Sequence, residues 1–243
     1  MKLLLIRHGD PDYENDSLTE TGRLEAALLA DRVAPMDIAA YYVSTMGRAR
    51  DTALPTLERA GRTATPCDWL REFSVRVHRP DCGGELSHVP WDWLPQDMES
   101  CPGLFDRERW HEHPIFAEMD VKGAYDRVIE PFEALLAEHG YVRDGLYYRV
   151  EHANSETLAF FCHFGVSCVL MSRLMNVSPM VLWHGLAMPP TSVTTIYTEE
   201  RRPGVALFRA ASVGDVSHLY ARGREPSFSA RFCEVYGNGE RVD

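Results

Sequence analysis

A phosphate ester could be bound and cleaved by side chains that occur at four places in this chain. They are the guanidinium groups of Arg7 and Arg48, the imidazoles of His8 and His163, and the carboxyl group of Glu72. Arginine binds phosphoryl oxygens, a neutral imidazole can attack phosphorus, and a carboxyl group can protonate the leaving oxygen. The combination predicts phosphoryl chemistry far more specifically than the tripeptide Arg7-His8-Gly9 does alone.

These residues follow apolar segments that are typical of buried strands. The predicted strands are Leu3–Ile6, Ile38–Val43, the weaker Thr63–Leu70, and Leu158–Cys162. Ligands of open α/β sheets lie beyond the carboxyl ends of the strands, and glycine at position 9 would let the backbone approach a ligand closely. We therefore expect the four places to meet at one edge of a sheet.

Helical periodicity separates these strands. Helices are predicted from the N-cap Thr19 to Val33, from the Arg48 region to the stop signal Gly61, over Ala124–Glu138, and over Val166–Met175. A hairpin is predicted for Tyr141–Val150 around Asp144-Gly145, and paired strands for Ser192–Tyr197 and Val205–Ala210. The pattern favours an α/β fold, a three-layer α/β/α sandwich with a mostly parallel central sheet and an inserted lid region.

The chain reads as a single domain over residues 1–243, with a lid or insertion at about 73–150. The segment Phe73–Lys122 contains five prolines and three tryptophans, a composition typical of a segment packed over a site. Trp91, Trp93 and Trp110 are expected to pack this segment onto the body, and the alternative is that one of them lines the pocket.

The net charge of −11 argues against a nucleic-acid partner, and no stretch approaches the length of a membrane span. With only Leu3–Ile6 apolar at the start, no secretion signal is predicted, and we expect a cytoplasmic protein. The six scattered cysteines read as free thiols. The sequence leaves open whether the protein forms a homodimer.

No cofactor or metal is expected, because no cluster of hard oxygen ligands is visible. His111 and His113 lack nearby Cys or Asp partners and are interpreted as surface or lid residues. For His218, which follows the last predicted strand, the sequence leaves open a structural role or a position near the site.

At this point the sequence resembles the histidine phosphatase superfamily, which includes the cofactor-dependent phosphoglycerate mutases. The matching motifs are Arg7-His8-Gly9, Leu18-Thr19-Glu20-Thr21-Gly22, Arg48-Ala49-Arg50-Asp51-Thr52-Ala53 and His163-Phe164-Gly165. The resemblance covers most of the chain, and Phe73–Tyr148 is the poorly matched part.

The resemblance implies that His8 is the nucleophile and becomes phosphohistidine. It implies that Arg7, Arg48 and His163 surround the phosphoryl oxygens and that Glu72 is the proton donor. Asp81 and Glu85 are alternative donors, because the sequence around Glu72 departs from the family pattern.

The family's mutases carry a longer first loop, whereas eight residues separate Gly9 from Leu18 here. The expected activity is therefore metal-independent hydrolysis of a small phosphorylated substrate. Mutase-type phosphoryl transfer is the alternative within the fold, and a non-catalytic phospho-ligand-binding protein is the alternative of another class. Arg76 and Arg79, close after Glu72, are candidates for binding a second anionic group on the substrate.

Overall fold

The computed structural model of the protein describes residues 1–78, 86–87 and 89–227. Its strands are β1 (Lys2–Arg7), β2 (Pro11–Asp12), β3 (Ser17–Leu18), β4 (Ala40–Ser44), β5 (Thr65–Cys67), β6 (Val77–His78), β7 (Leu86–Ser87), β8 (Tyr141–Asp144), β9 (Tyr147–Val150), β10 (Thr157–Cys162), β11 (Val193–Arg202) and β12 (Val205–Asp215). Its α-helices are α1 (Glu20–Val33), α2 (Gly47–Ala60), α3 (Pro95–Glu99), α4 (Val121–Glu138), α5 (Phe164–Met175), α6 (Pro179–Gly185) and α7 (Ser217–Tyr220).

The main sheet of the described residues has eight strands in the order β5-β4-β10-β1-β11-β12-β9-β8. The four strands β5, β4, β10 and β1 run parallel, and the strands beyond β1 pair antiparallel. The register places Arg7 opposite Cys162 and Phe161 opposite Val43. The carboxyl ends of β1, β10 and β4 are therefore level with one another.

Helices cover both faces of the parallel half. Leu4 and Ile6 of β1 pack with Leu29 of α1 in one buried cluster. Leu3 and Leu5, which point to the opposite face because side chains alternate along a strand, lie in a second cluster that includes residues of α4 and α5. This arrangement confirms the predicted three-layer α/β/α sandwich.

Helix ends follow the local chemistry of the sequence. The hydroxyl of Thr19 accepts a hydrogen bond from the amide of Gly22 and so caps α1, as predicted. Gly61 ends α2 with a left-handed φ of 62°, a conformation that costs glycine little.

Several predicted boundaries are corrected by the structure. The second strand begins at Ala40 rather than Ile38, and the Thr63–Leu70 strand shortens to Thr65–Cys67 followed by a 3₁₀ turn. Helix α4 begins at Val121, three residues before the predicted start, because the side chain of Asp120 caps it. The 141–150 hairpin forms the sheet edge, with its turn at Gly145-Leu146 rather than Asp144-Gly145.

The segment between residues 89 and 120 consists mainly of short turns around aromatic side chains. Trp91, Trp93 and Trp110 are all buried, and Trp110 packs edge-on against Trp183 of α6. The prediction that these rings attach the segment to the body is confirmed. Within the described residues, none of the helices is both long and apolar enough to cross a membrane.

Candidate active site

The predicted residues meet at the carboxyl ends of the parallel strands. His8 directly follows β1, His163 directly follows β10, and Arg48 lies in the first turn of α2, just after β4. The rings of His8 and His163 lie 5.0 Å apart, and both side chains are almost wholly buried, as are those of Arg7 and Arg48. Neighbouring parallel strands thus bring together groups that are far apart in the sequence.

The ring of His8 is held in one tautomer. Its Nδ1 lies 2.8 Å from the carbonyl oxygen of Gly9, which can only accept, so Nδ1 carries the proton. Nε2 is then the nitrogen with a lone pair. Burial, followed by the neighbouring Arg7 and Arg48, lowers the pKa of His8 well below its ordinary value near 6.5. The imidazole is therefore neutral and nucleophilic at physiological pH.

Two guanidinium groups flank this ring. Arg7 donates through Nη1 to the carbonyl oxygen of Met188. Arg48 forms an ion pair of 2.7 Å with Asp16 and lies over the ring of Tyr13, 5.4 Å from its centroid. Two buried cations beside one imidazole form a site suited to an anion.

His163 has a defined partner on one nitrogen. His163 Nε2 lies 2.8 Å from the Ser44 hydroxyl, which also accepts a hydrogen bond from the amide of Met46 at 3.2 Å. Within the part of the chain that the structure describes, buried Nδ1 of His163 and Nε of Arg48 make no hydrogen bond. A buried polar atom without a partner is costly, and a phosphoryl oxygen would accept from the Arg48 Nε–H.

Glu72 lies against the start of α5. Its Oε1 accepts hydrogen bonds from the amides of Phe73 (2.8 Å) and Val166 (3.0 Å). Burial raises the pKa of the carboxyl group, although the backbone amides oppose the shift. A Cβ at position 165 would lie 2.4 Å from the Trp91 ring and 2.7 Å from Glu72 Oε1, so glycine is needed there.

The sequence profile of the histidine phosphatase superfamily (branch 1) matches residues 3–210. The chain belongs to the histidine phosphatase superfamily. A probable phosphatase of Schizosaccharomyces pombe is 45% identical over 67 residues, which are 24% of this chain and 32% of that protein. The match thus spans about a third of the yeast protein's length.

Two solved structures show the same fold. A phosphoserine phosphatase of Entamoeba histolytica, in complex with phosphoserine, aligns with a TM-score of 0.58 and 17% identity over 90% of this chain and 98% of that one. A mycobacterial glucosyl-3-phosphoglycerate phosphatase aligns with a TM-score of 0.56 and 22% identity over 88% and 98% of the two chains.

A cavity of about 560 Å³ adjoins Glu72 in this member of the superfamily. It lies between the segment 68–75 and the N-terminal half of α4, and the basic residues in its wall are Arg71 and Arg127. Arg76 is exposed and lies outside this wall. Arg79 and the alternative proton donors Asp81 and Glu85 fall outside the described residues.

Metal ligation finds no support in the described part of the chain, where no group of three His, Cys, Asp or Glu side chains could hold an ion. Trp110–Glu112 form a 3₁₀ turn, and Glu112 pairs with Arg109 on the surface. Cys67, Cys101, Cys162 and Cys168 are free thiols, as expected, and the other two cysteines lie outside the described residues.

The groups that orient the catalytic candidates were not predicted from the sequence. Besides Ser44 and Asp16, these include the hydroxyl of Thr52, which accepts from the amide of Gly9 at 2.9 Å, and the Met188 carbonyl. Thr52 belongs to the Arg48 motif and could have been suspected, whereas a backbone carbonyl leaves no signal in the sequence. Gly9 was expected to let the backbone approach a ligand closely. In the structure the close neighbour is α1, because a Cβ at position 9 would lie 2.8 Å from the Gly22 carbonyl oxygen.

The lowered pKa values predict acid sensitivity of this fold. His8, His163 and His218 all have pKa values below 6.5 in the folded state, chiefly because of burial. The unfolded state therefore binds more protons as the pH falls below 6.5, and each histidine removes up to about 1.4 kcal/mol of unfolding free energy per pH unit. The raised pKa values of Glu72 and Glu25 act in the opposite direction above 4.5. The pKa of His113 is also lowered by burial, so four histidines oppose two carboxyl groups and the fold loses stability as the pH falls.

Urea unfolding at pH 7.5, 6 and 5 measures this effect, and His8→Gln should make the dependence on pH shallower. A free energy of unfolding that stays constant down to pH 5 would contradict the buried, neutral histidines.

Proposed function

We propose that this histidine phosphatase hydrolyses a small-molecule phosphate monoester through a phosphohistidine on His8, without a metal ion. The observation that carries the proposal is the fixed tautomer of His8 between two buried guanidinium groups. The hydrogen bond from Nδ1 to the Gly9 carbonyl leaves the lone pair on Nε2. Arg7 and Arg48 supply the positive charge that phosphoryl transfer requires.

The reaction would proceed in two steps. Nε2 of His8 attacks phosphorus, the bond from phosphorus to the ester oxygen breaks, and the leaving oxygen takes the proton of Glu72. Water then attacks the phosphorus atom of the phosphohistidine and gives a proton to the Glu72 carboxylate. The bond between phosphorus and Nε2 breaks, which releases inorganic phosphate and restores the imidazole of His8. The raised pKa of Glu72 suits it to hold a proton for the first step.

The mutase alternative differs in the fate of the phosphoryl group. The segment between β1 and α1 is short and folds back on itself as the β2–β3 pair. Asp16 from this segment already pairs with Arg48. These features favour transfer of the phosphoryl group to water over mutase-type transfer.

Phosphate release from a panel of small phosphate esters tests the proposal, with isomerisation of a phosphoglycerate followed in parallel. We expect release for at least one ester, unchanged by EDTA, because the arginines replace a metal in neutralising the phosphoryl oxygens. Loss of activity in EDTA that a divalent metal restores would overturn the metal-independent mechanism. Isomerisation without phosphate release would establish the mutase alternative instead.

A second anionic group on the substrate would need cations on the leaving-group side. Arg76 and Arg79 are the candidates proposed from the sequence, and the cavity beside Glu72 adds Arg71 and Arg127. Since Glu72 would protonate the leaving oxygen, a leaving group placed in this cavity would lie next to Arg71. We propose the cavity pair as the anion subsite to test first.

The double variant Arg71→Ala/Arg127→Ala should raise KM about tenfold for a carboxylated phosphate ester and leave KM for p-nitrophenyl phosphate nearly unchanged. The matched comparison is Arg76→Ala/Arg79→Ala, which removes the same charge from the neighbouring segment. A selective rise in KM with that pair would place the subsite there, and equal effects on both esters would assign all four arginines to the surface.

A further inference from the structure

Thr191 adopts a backbone conformation that is unfavourable for its residue type. Its φ is +56°, in the left-handed region, where a β-branched side chain is strained. The side chain and both neighbours are buried. Strain of this kind persists only where surrounding contacts enforce it, and it concentrates at functional sites.

The loop that contains Thr191 holds the end of β1. The amide of Thr191 donates to the carbonyl oxygen of His8 at 3.1 Å, and the amide of Arg7 donates to the carbonyl of Ser192 at 3.1 Å. The same loop supplies the Met188 carbonyl that accepts from the Arg7 side chain. The loop therefore fixes the backbone of Arg7 and His8, the two residues at the end of β1 that would contact the phosphoryl group.

His218 holds Thr191 from the other side. The Thr191 hydroxyl donates its proton to the Pro190 carbonyl at 2.8 Å, so the His218 Nε2–H, 3.1 Å away, must be the donor to that hydroxyl. Within the described residues His218 Nδ1 has no hydrogen-bond partner, which fits the unprotonated nitrogen of this tautomer. Burial, with a contribution from Arg32, lowers the pKa of His218 to about 4, so the ring keeps one proton at neutral pH.

We propose that His218 is a positioning residue for His8: its hydrogen bond keeps Thr191 left-handed, which directs the Thr191 amide to the His8 carbonyl. Displacement of that carbonyl would tilt the imidazole away from the line of attack on phosphorus. This inference rests on the proposed function, and it adds a residue on α7 that acts on His8 through Thr191.

Thr191 permits a rescue experiment. Thr191→Val keeps the β-branched shape and removes the hydroxyl, so it should reproduce the defect of His218→Ala. Asparagine adopts the left-handed conformation readily and needs no anchor. Thr191→Asn should therefore restore activity to the His218→Ala protein.

Turnover of p-nitrophenyl phosphate is measured for the wild type, His218→Ala, Thr191→Val, His218→Ala/Thr191→Asn, and the control His139→Ala. His139 bonds Tyr42 and Glu156 at the opposite end of the sheet. We expect kcat of the two single variants to fall about 10- to 100-fold with little change in KM, because misplacement of a nucleophile affects the chemical step. The double variant and the control should stay within about threefold of the wild type.

Amide hydrogen exchange of Thr191 provides a readout that does not depend on catalysis. Protection should be lost in both single variants and regained in the double variant. Wild-type kcat and protection in His218→Ala and Thr191→Val would overturn the positioning role, as would a folded double variant without recovery. If the wild type itself fails to release phosphate, the proposed function fails, while the exchange measurements still decide the role of His218.

Discussion

Replacement of His8 by alanine is expected to lower kcat by about 10⁵-fold, because the variant lacks the nitrogen that would form the bond to phosphorus. The fold should survive, since His8 lies at the end of β1 and its backbone bonds to Cys162 and Thr191 do not involve the side chain. Initial rates with p-nitrophenyl phosphate, compared at equal folded concentration by circular dichroism, measure the effect.

His139→Ala is the matched control for this experiment, because it removes a histidine at the far end of the same sheet. Retention of more than about a tenth of wild-type activity in the His8 variant would exclude His8 as the nucleophile.

Glu72→Gln is expected to lower kcat by about 10²- to 10⁴-fold for alkyl phosphates, whose leaving oxygen must be protonated as the bond breaks. The loss should be smaller for p-nitrophenyl phosphate, because p-nitrophenolate departs without a proton. Glutamine keeps an oxygen that can accept from the amides of Phe73 and Val166, so the local structure should change little. The ratio of the two losses is the quantity to measure.

Asp81→Asn and Glu85→Gln form the comparison set for the proton donor. Glu72 is excluded from that role if one of these variants shows the leaving-group dependence and Glu72→Gln does not.

Much of the candidate site could be predicted because its residues lie in short motifs at strand ends. An apolar run followed by Arg7-His8 or by His163 indicates both the strand and the side chains at its tip. Parallel strands then bring these tips to one edge, so their proximity followed from the fold class. Arg7, His8, Arg48 and His163 therefore come together in the structure as the sequence indicated.

The parts that could not be predicted depend on contacts between distant segments. Nothing near Thr191 in the sequence indicates a left-handed threonine, because His218 and the His8 carbonyl impose that conformation from elsewhere in the fold. The cavity beside Glu72 likewise arises from segment 68–75 packing beside α4. Local patterns specify elements well and specify the loops that join them poorly.

Trapping of the phosphoenzyme tests the central claim most directly. The protein is mixed with a ³²P-labelled phosphate ester, quenched after a short interval, digested, and the labelled peptide is identified by mass spectrometry. We predict an acid-labile, base-stable phosphate on His8, with none in the His8→Ala protein. A label on another residue, or turnover of the labelled ester with no phosphorylated protein under conditions that slow the hydrolysis step, would contradict the phosphohistidine mechanism.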